Sequence, residues 1–386
     1  MTTRPSLRTT AFGVALLATA GLVSTAHGQA APADAALVAK AKAIHAAVFT
    51  VDTHVDINPS NFTATAPNYA QKLPRTQVDL AKMEEGGMSG AFLIVYVGQT
   101  PALDSTGYAK AHASAMAKFE AIHRLTEQLA PDRAELALSA ADARRIQKSG
   151  KRAIFIGIEN GYPIGTDLAN VKKFYDLGGR YMSLAHNGHS QLSDSNTGER
   201  DGVWLHNGLS PLGRQVIAEM NRLGMMIDIS HPSKASMMQT LQLTTLPIIA
   251  SHSGVRALCN HSRNLDDEQL VALAKNGGVA QMVAFNSYVK CDAKGQQLPG
   301  ASPATVADFA DHIDYAVKKM GIDHVGISSD FDGGGGVDGF RNAGEALNVT
   351  IELVKRGYTE EQIRKIWGGN LLRVLEVNGN HGKATK

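Results

Sequence analysis

The chain has 386 residues, 44% of them hydrophobic and 19% charged, which is enough apolar material to bury a large core. Its 38 Lys and Arg against 36 Asp and Glu leave a formal charge of +2, and Arg4 and Arg8 account for that excess. So balanced a surface removes the electrostatic case for nucleic acid or an anionic membrane as partner.

Residues 1–30 place Arg4 and Arg8 before the apolar run 11–23 and end in the small-residue stretch "HGQA". That order is the pattern of a secretory signal peptide cut after Ala30, because the apolar run is short for a bilayer span. No Cys stands at the junction to take a lipid, and the tail "EVNGNHGKATK" carries no hydrophobic anchor signal. Residues 31–386 are therefore read as one exported domain, periplasmic or secreted. In that oxidising setting Cys259 and Cys291 either pair or serve as small buried hydrophobes.

The first predicted strand, "FTVDTHVDI" (49–57), is apolar and β-branched but sets Asp52, His54 and Asp56 at alternate positions. An extended strand projects such residues to one face. Further strands are predicted at 90–97, 152–160, 179–186, 225–231, 247–253, 277–285 and 324–332. Between them run amphipathic segments closed by glycine, such as "SPLGRQVIAEMNRLG", where Leu212, Val216, Ile217 and Met220 recur at helical spacing and Gly224 suits a C-cap. "DLANVKKFYDLGG", "DDEQLVALAKNGG" and "TVADFADHIDYAVKKMG" repeat that grammar. Alternating strands and helices predict an α/β fold with a parallel sheet, as a single (β/α)8 TIM-like barrel or, alternatively, a doubly wound open sheet.

A barrel collects its reactive groups at the C-terminal ends of its strands. There the sequence has His54 and Asp56 (first strand), Glu159 (third), His186 (fourth), His231 (fifth), His252 (sixth) and Asp330 with Asp332 (eighth). Each alone has an ordinary reading, as a hydrogen-bonded histidine or a capping acid. Together they predict a centre for borderline divalent ions such as zinc. His54, Asp56, Glu159, His231 and His252 exceed one tetrahedral shell, so two ions sharing a carboxylate are expected, and with them metal-dependent hydrolysis. A hydrolase of another amide, lactone or phosphoester would share these residues, as would a non-catalytic metal-binding protein. The spare acid Asp330 favours catalysis, and the "GGGG" at 333–336 lacks the Lys-Ser or Lys-Thr of a phosphate loop.

"VDTHVDI", "FIGIEN", "RYMSLAHN", "GLSPLGRQVIAEMNRLGMMIDISH", "IIASHSGVRALCNHSRN", "VGISSDFDG" and "GNLLRVLE" together resemble the renal (membrane) dipeptidase family of zinc metallopeptidases, in the same order and over most of the chain. The resemblance implies His54 and Asp56 on one zinc, His231 and His252 on the other, and Glu159 bridging them. It implies His186 on the substrate carbonyl oxygen, Asp330 carrying the proton and Arg263 binding the terminal carboxylate. It further implies dipeptide substrates, including those with a C-terminal D-residue, a Cys259–Cys291 disulfide and a homodimer. The tail departs from the lipid-anchored mammalian members, and "AFNSYVKC" departs too, leaving Tyr288 without an assigned role. Asp52 is expected to support His54 and Asp56 from below.

Overall fold

The protein is described by a computed structural model covering residues 1–2, 32–298 and 302–384. Apart from Met1 and Thr2, the predicted signal peptide lies outside the described residues. The β-branched runs extend as β1 (Val51–Asp56), β2 (Gly90–Tyr96), β3 (Ala134–Leu136), β4 (Arg152–Glu159), β5 (Gly179–Ser183), β6 (Met226–Asp228), β7 (Ile249–Ser253), β8 (Val279–Val283) and β9 (Val325–Ser328). Neighbours pair in the order β1-β2-β4-β5-β6-β7-β8-β9, all parallel. A parallel bridge between Val55 and Phe331 brings β9 back to β1, with the Asp56 N–H donating to Phe331 O at 2.9 Å. The sheet thus closes into a (β/α)8 TIM-like barrel, and the open-sheet alternative is not adopted.

The helices form where the glycine grammar places them. Helix Pro211–Leu223 starts on the Ser210 side chain and ends on Gly224 in the left-handed region at φ 76°, which suits a residue without Cβ. Helices Asp267–Lys275 and Val306–Met320 both open with capping boxes, on Asp266 and Thr305. The lower barrel is filled by Val51, Phe92, Phe155, Tyr181, Met226 and Ile249, and the C-terminal helix Asn370–Ala384 adds Leu371, Leu372, Val374 and Leu375 to that cluster. Burying each such side chain is worth about 1.5–3 kcal/mol, so the closed end is the rigid one.

Three departures from the sequence reading matter for the site. The unpredicted β3 takes the edge of β4 at residues 152–154, ahead of the register where β5 joins at Ile156. The predicted strands at 179–186, 225–231, 277–285 and 324–332 end early, at Ser183, Asp228, Val283 and Ser328. Beyond those ends, several backbone donors find side chains instead of the ladder: Ser230 N–H bonds Asp228, Ser329 N–H bonds Asp52, and Phe331 N–H bonds Ser329 Oγ. His186, His231 and Asp330 consequently leave from loops. Finally, β1 carries an extra residue between Asp52 and Val55, and β7 one between Ala250 and Ser253. These bulges break strict alternation at His54 and His252, and bulges re-aim side chains beside active sites.

Candidate metal centre

His54 is fully buried at the mouth, and its ring lies 3.8 Å, centroid to centroid, from that of His252. Its Nδ1 meets the Tyr181 hydroxyl at 3.0 Å, and that hydroxyl donates to Thr53 O at 2.9 Å. The tyrosine proton being committed, His54 Nδ1–H is the donor and its Nε2 is left with a lone pair. His252 Nδ1 sits 2.8 Å from Ser251 Oγ, which passes its own proton to Asp228 at 2.7 Å. His231 Nδ1 is 3.1 Å from the side-chain amide oxygen Oδ1 of Asn187, which only accepts. All three imidazoles are thus held with Nδ1–H outward and the Nε2 lone pair inward, the arrangement that prepares a histidine to bind metal.

What the lone pairs face supports a cation. His231 Nε2 and His252 Nε2 lie 3.1 Å apart, and His54 Nε2 is buried without a hydrogen-bond partner. Glu159 inserts between them: one carboxylate oxygen lies 3.5 Å from His54 Nε2, and the other 2.8 Å from His231 Nε2 and 3.4 Å from His252 Nε2. Donor atoms gather as His54, Asp56 and Glu159 on one side and Glu159, His231 and His252 on the other, and Asp330 also groups with His54 and His252. Nitrogen lone pairs and acids converging in a buried pocket cost free energy unless positive charge sits among them. The donor set, imidazole nitrogen with carboxylate oxygen, suits zinc.

The electrostatics agree. At His54 burial lowers the proton affinity, but Glu159, Asp330 and Asp56 outweigh it and push the pKa up to about 9, so the acids around its Nε2 favour positive charge there. Burial, and then the positive charge of neighbours, keeps His231 and His252 well below the ordinary imidazole value, so they are neutral and free to ligate. Burial pushes the Glu159 carboxyl up, but His54, His186 and His231 outweigh it and hold it well below its usual range. Asp330 is pushed up to about 8, chiefly by burial; His54 opposes the rise, while Asp56 and Glu159 add to it. The Asp330 backbone is left-handed at φ 59°, as is Asn160, next to Glu159, at φ 74°. Such conformations in non-glycine residues cluster at functional sites.

The other predicted residues line the same cavity of about 980 Å³, which Asp56, Glu159, His186, His231, Arg263 and Asp330 share. The His186 ring packs between Tyr96 and His231, with its Nε2 3.7 Å from Glu159. Arg263 is 2% exposed; one terminal nitrogen donates to Ser230 O and the other to His252 O at 3.2 Å. Among the described residues it has no acid partner; Asp266 pairs with Lys234 and Asp267 with Lys319. Tyr288 lies with its ring 5.5 Å from the Arg263 guanidinium. Asp52 accepts from the backbone N–H groups of His54 and Ser329, tying the two ligand-bearing segments together from beneath. Cys259 and Cys291 are disulfide-bonded, closing the loop that carries Arg263 and Tyr288.

Sequence reasoning missed the groups that orient the ligands, Tyr181, Ser251, Asp228 and Asn187. It also missed most of the cavity wall, including Arg75, Tyr96, Lys118 from helix Ser105–Arg124, and Tyr69, whose buried hydroxyl has no hydrogen-bond partner among the described residues. Apart from Asp228, which ends β6 but fell inside the strand predicted to run to 231, none sits at the end of a strand with a metal-competent side chain, the one signal available.

Comparison with known proteins agrees with this geometry. The profile of the family described as Membrane dipeptidase (Peptidase family M19) matches residues 38–385. Dipeptidase tcpJ of Claviceps purpurea is 36% identical over 303 residues, 77% of this chain and 68% of the relative. Dipeptidase aclJ of Aspergillus oryzae is 34% identical over 304 residues, covering 78% and 69%. Among solved structures, the probable dipeptidase PvdM from Pseudomonas aeruginosa superposes with a TM-score of 0.81 at 30% identity, over 90% of this chain and 99% of that one.

Proposed function

The chain belongs to the membrane dipeptidase family of metallopeptidases, and from that premise we propose that it is an exported dinuclear zinc dipeptidase acting on free dipeptides. The observation that carries this reading is the inward lone-pair set of His54, His231 and His252 around Glu159, whose two oxygens face different histidines. His54 and Asp56 would hold one zinc ion and His231 and His252 the other, with Glu159 giving an oxygen to each. When bound, the ions would polarise the scissile amide and make the hydrolytic water acidic enough to lose its proton near neutral pH.

The chain's own groups supply the rest. Asp330, with one carboxylate oxygen 3.9 Å from His54 Nε2, takes the proton of the attacking water and hands it to the leaving amine nitrogen. His186, at the rim of the cluster, hydrogen-bonds the oxygen on which negative charge develops. Arg263 lines the cavity and has no acid partner among the described residues, so the guanidinium N–H groups beyond those given to Ser230 O and His252 O suit the free carboxylate of a dipeptide. Such a clamp constrains the end of the substrate more than its chirality, so a C-terminal D-residue fits this reading. Export rests on the basic and apolar leader and on the Cys259–Cys291 bond, which persists in an oxidising compartment. Among the described residues no helix is long and apolar enough to cross a membrane.

The test is elemental analysis beside a hydrolysis screen of free dipeptides of both chiralities and their C-terminal amides. Two zinc ions per chain and turnover confined to the free dipeptides are expected. A fully active protein with one ion per chain would remove the bridging role of Glu159. Equal rates on amides would shift weight to another amide, lactone or phosphoester.

A further inference from the structure

We infer that Lys118 selects substrates whose N-terminal residue carries an acidic side chain. The inference rests on the dipeptidase reading and adds to it a substrate class.

Lys118 rises from helix Ser105–Arg124 into the cavity wall, its ammonium 5.4 Å from the centre of the Tyr96 ring. Among the described residues it makes no hydrogen bond or ion pair. It feels the charges of Asp56 and Glu159 without pairing with either. A half-buried ammonium with only an aromatic face beside it has given up part of its hydration for little direct return. Neutralising the acid cluster is not a sufficient reason for it, because the cations that the convergent lone pairs demand already do that.

Position assigns the role. Tyr96 ends β2, whereas Arg263 hangs from the carbonyls of Ser230 and His252, in the loop after β6 and in β7. In the ring order, β2 and β7 lie across the barrel from each other. Lys118 and Arg263 therefore stand on opposite sides of the imidazole and carboxylate cluster, while the third cation of the cavity wall, Arg75, is solvent-exposed in the loop before helix Leu80–Glu85. A dipeptide whose terminal carboxylate sits at Arg263, with its amide over the cluster, extends its N-terminal residue toward Lys118. The substrate's own ammonium is repelled there and is drawn instead to the acids of the mouth. The group that fits against Lys118 is a side-chain carboxylate, and a basic side chain is rejected.

The experiment compares kcat/KM for Glu-Ala, Gln-Ala, Lys-Ala and Ala-Ala with zinc-loaded protein. Glu and Gln have the same shape, so their ratio isolates the charge. Wild type should favour Glu-Ala over Gln-Ala roughly 10- to 100-fold, the range of a charged hydrogen bond, and added salt should narrow the gap. Lys118→Met should bring the ratio to about one, while Lys118→Arg keeps it. Being a ratio within one preparation, the readout is independent of the fraction folded. A wild-type ratio near one with Ala-Ala readily cleaved overturns the inference and leaves the dipeptidase reading standing, as does a ratio unchanged in Lys118→Met. If no dipeptide is cleaved, the dipeptidase reading falls and takes the subsite with it.

Discussion

Gly333 packs so closely on Asp56 that a Cβ there would overlap the Asp56 carboxylate and come within 2.5 Å of Asp330 Oδ1. Gly335 is hemmed in as tightly by the carbonyl of Ser329. The glycine run at 333–336, which is no phosphate loop, is a tight wall behind two acids of the site. Gly333→Ala should therefore lower metal affinity about 10- to 100-fold, the usual cost of disturbing groups around a ligand. Isothermal titration of zinc into stripped protein measures it, and unchanged affinity would show that Asp56 can move freely.

The facing nitrogens of His231 and His252 imply that metal and fold are linked. An ion bound only by the folded chain stabilises it by about 4 kcal/mol at a thousandfold excess over Kd. Chelation should lower the melting temperature, zinc should restore it, and His231→Ala should abolish most of the difference. A melting temperature indifferent to chelator would mean that the lone-pair cluster tolerates being empty, against the argument from convergence.

Much of this centre was legible in the sequence because a parallel barrel delivers its strand ends to one mouth, so a metal-competent residue that follows an apolar run announces itself. His54, Glu159 and His252 are of that kind. Their exact aim was not legible, since the bulges in β1 and β7 arise from pairing with β2 and β8 and leave no mark on local alternation. Lys118 was hidden for a related reason: on an amphipathic helix a lysine reads as solvated surface, and only the closing of the barrel turns it toward the cavity. Arg263 was half visible. Its carboxylate-binding role is implied by the resemblance, but its bracing of two backbone carbonyls depends on contacts across loops.

Asp330→Asn should retain metal yet lose turnover by about 10²- to 10⁴-fold, the usual worth of a positioned general acid or base. Asn tolerates the left-handed backbone that Asp330 adopts, so the substitution changes proton chemistry with little strain. Single-turnover kinetics with metal analysis separates the possibilities. Near-normal rates would remove Asp330 from the reaction, and loss of metal would make it a ligand, as its grouping with His54 and His252 allows.

Acid sensitivity should come partly from His312, which is not one of the candidate site residues. Its Nδ1 accepts from the Val255 N–H at 2.9 Å and its Nε2–H donates to Val289 O at 3.0 Å, so both partners require the neutral ring. Burial holds its pKa below the ordinary 6.5, against the opposing pull of the Val289 carbonyl. The unfolded chain then binds this proton more readily than the folded one. The stability His312 contributes is complete above the unfolded value and is lost as pH falls below it toward the folded value. Unfolding by denaturant from roughly pH 7.5 to 5, on chelated protein, should show a shallower loss for His312→Gln than for wild type. Identical slopes would place the acid sensitivity elsewhere.

The last prediction concerns Arg263, which the structure gives two tasks that must be separated. Its guanidinium braces the carbonyls of Ser230 and His252, and so the loop and strand bearing His231 and His252. Truncation to Met therefore loosens two metal ligands as well as removing a carboxylate partner, and a fall in kcat/KM alone would not say which. The discriminating readout is the ratio of kcat/KM for a free dipeptide to that for its C-terminal amide. Bracing affects both substrates alike, whereas a clamp acts only on the free acid. Wild type should show a large ratio and Arg263→Met a ratio near one, a loss of about 1.5–3 kcal/mol as expected for a hydrogen bond to a charged group. Arg263→Lys keeps the charge but not the planar fork, so it should recover only part of the ratio. If Met lowers both rates equally and leaves the ratio intact, the arginine is a brace alone, and the terminal carboxylate must be recognised by another group in the cavity.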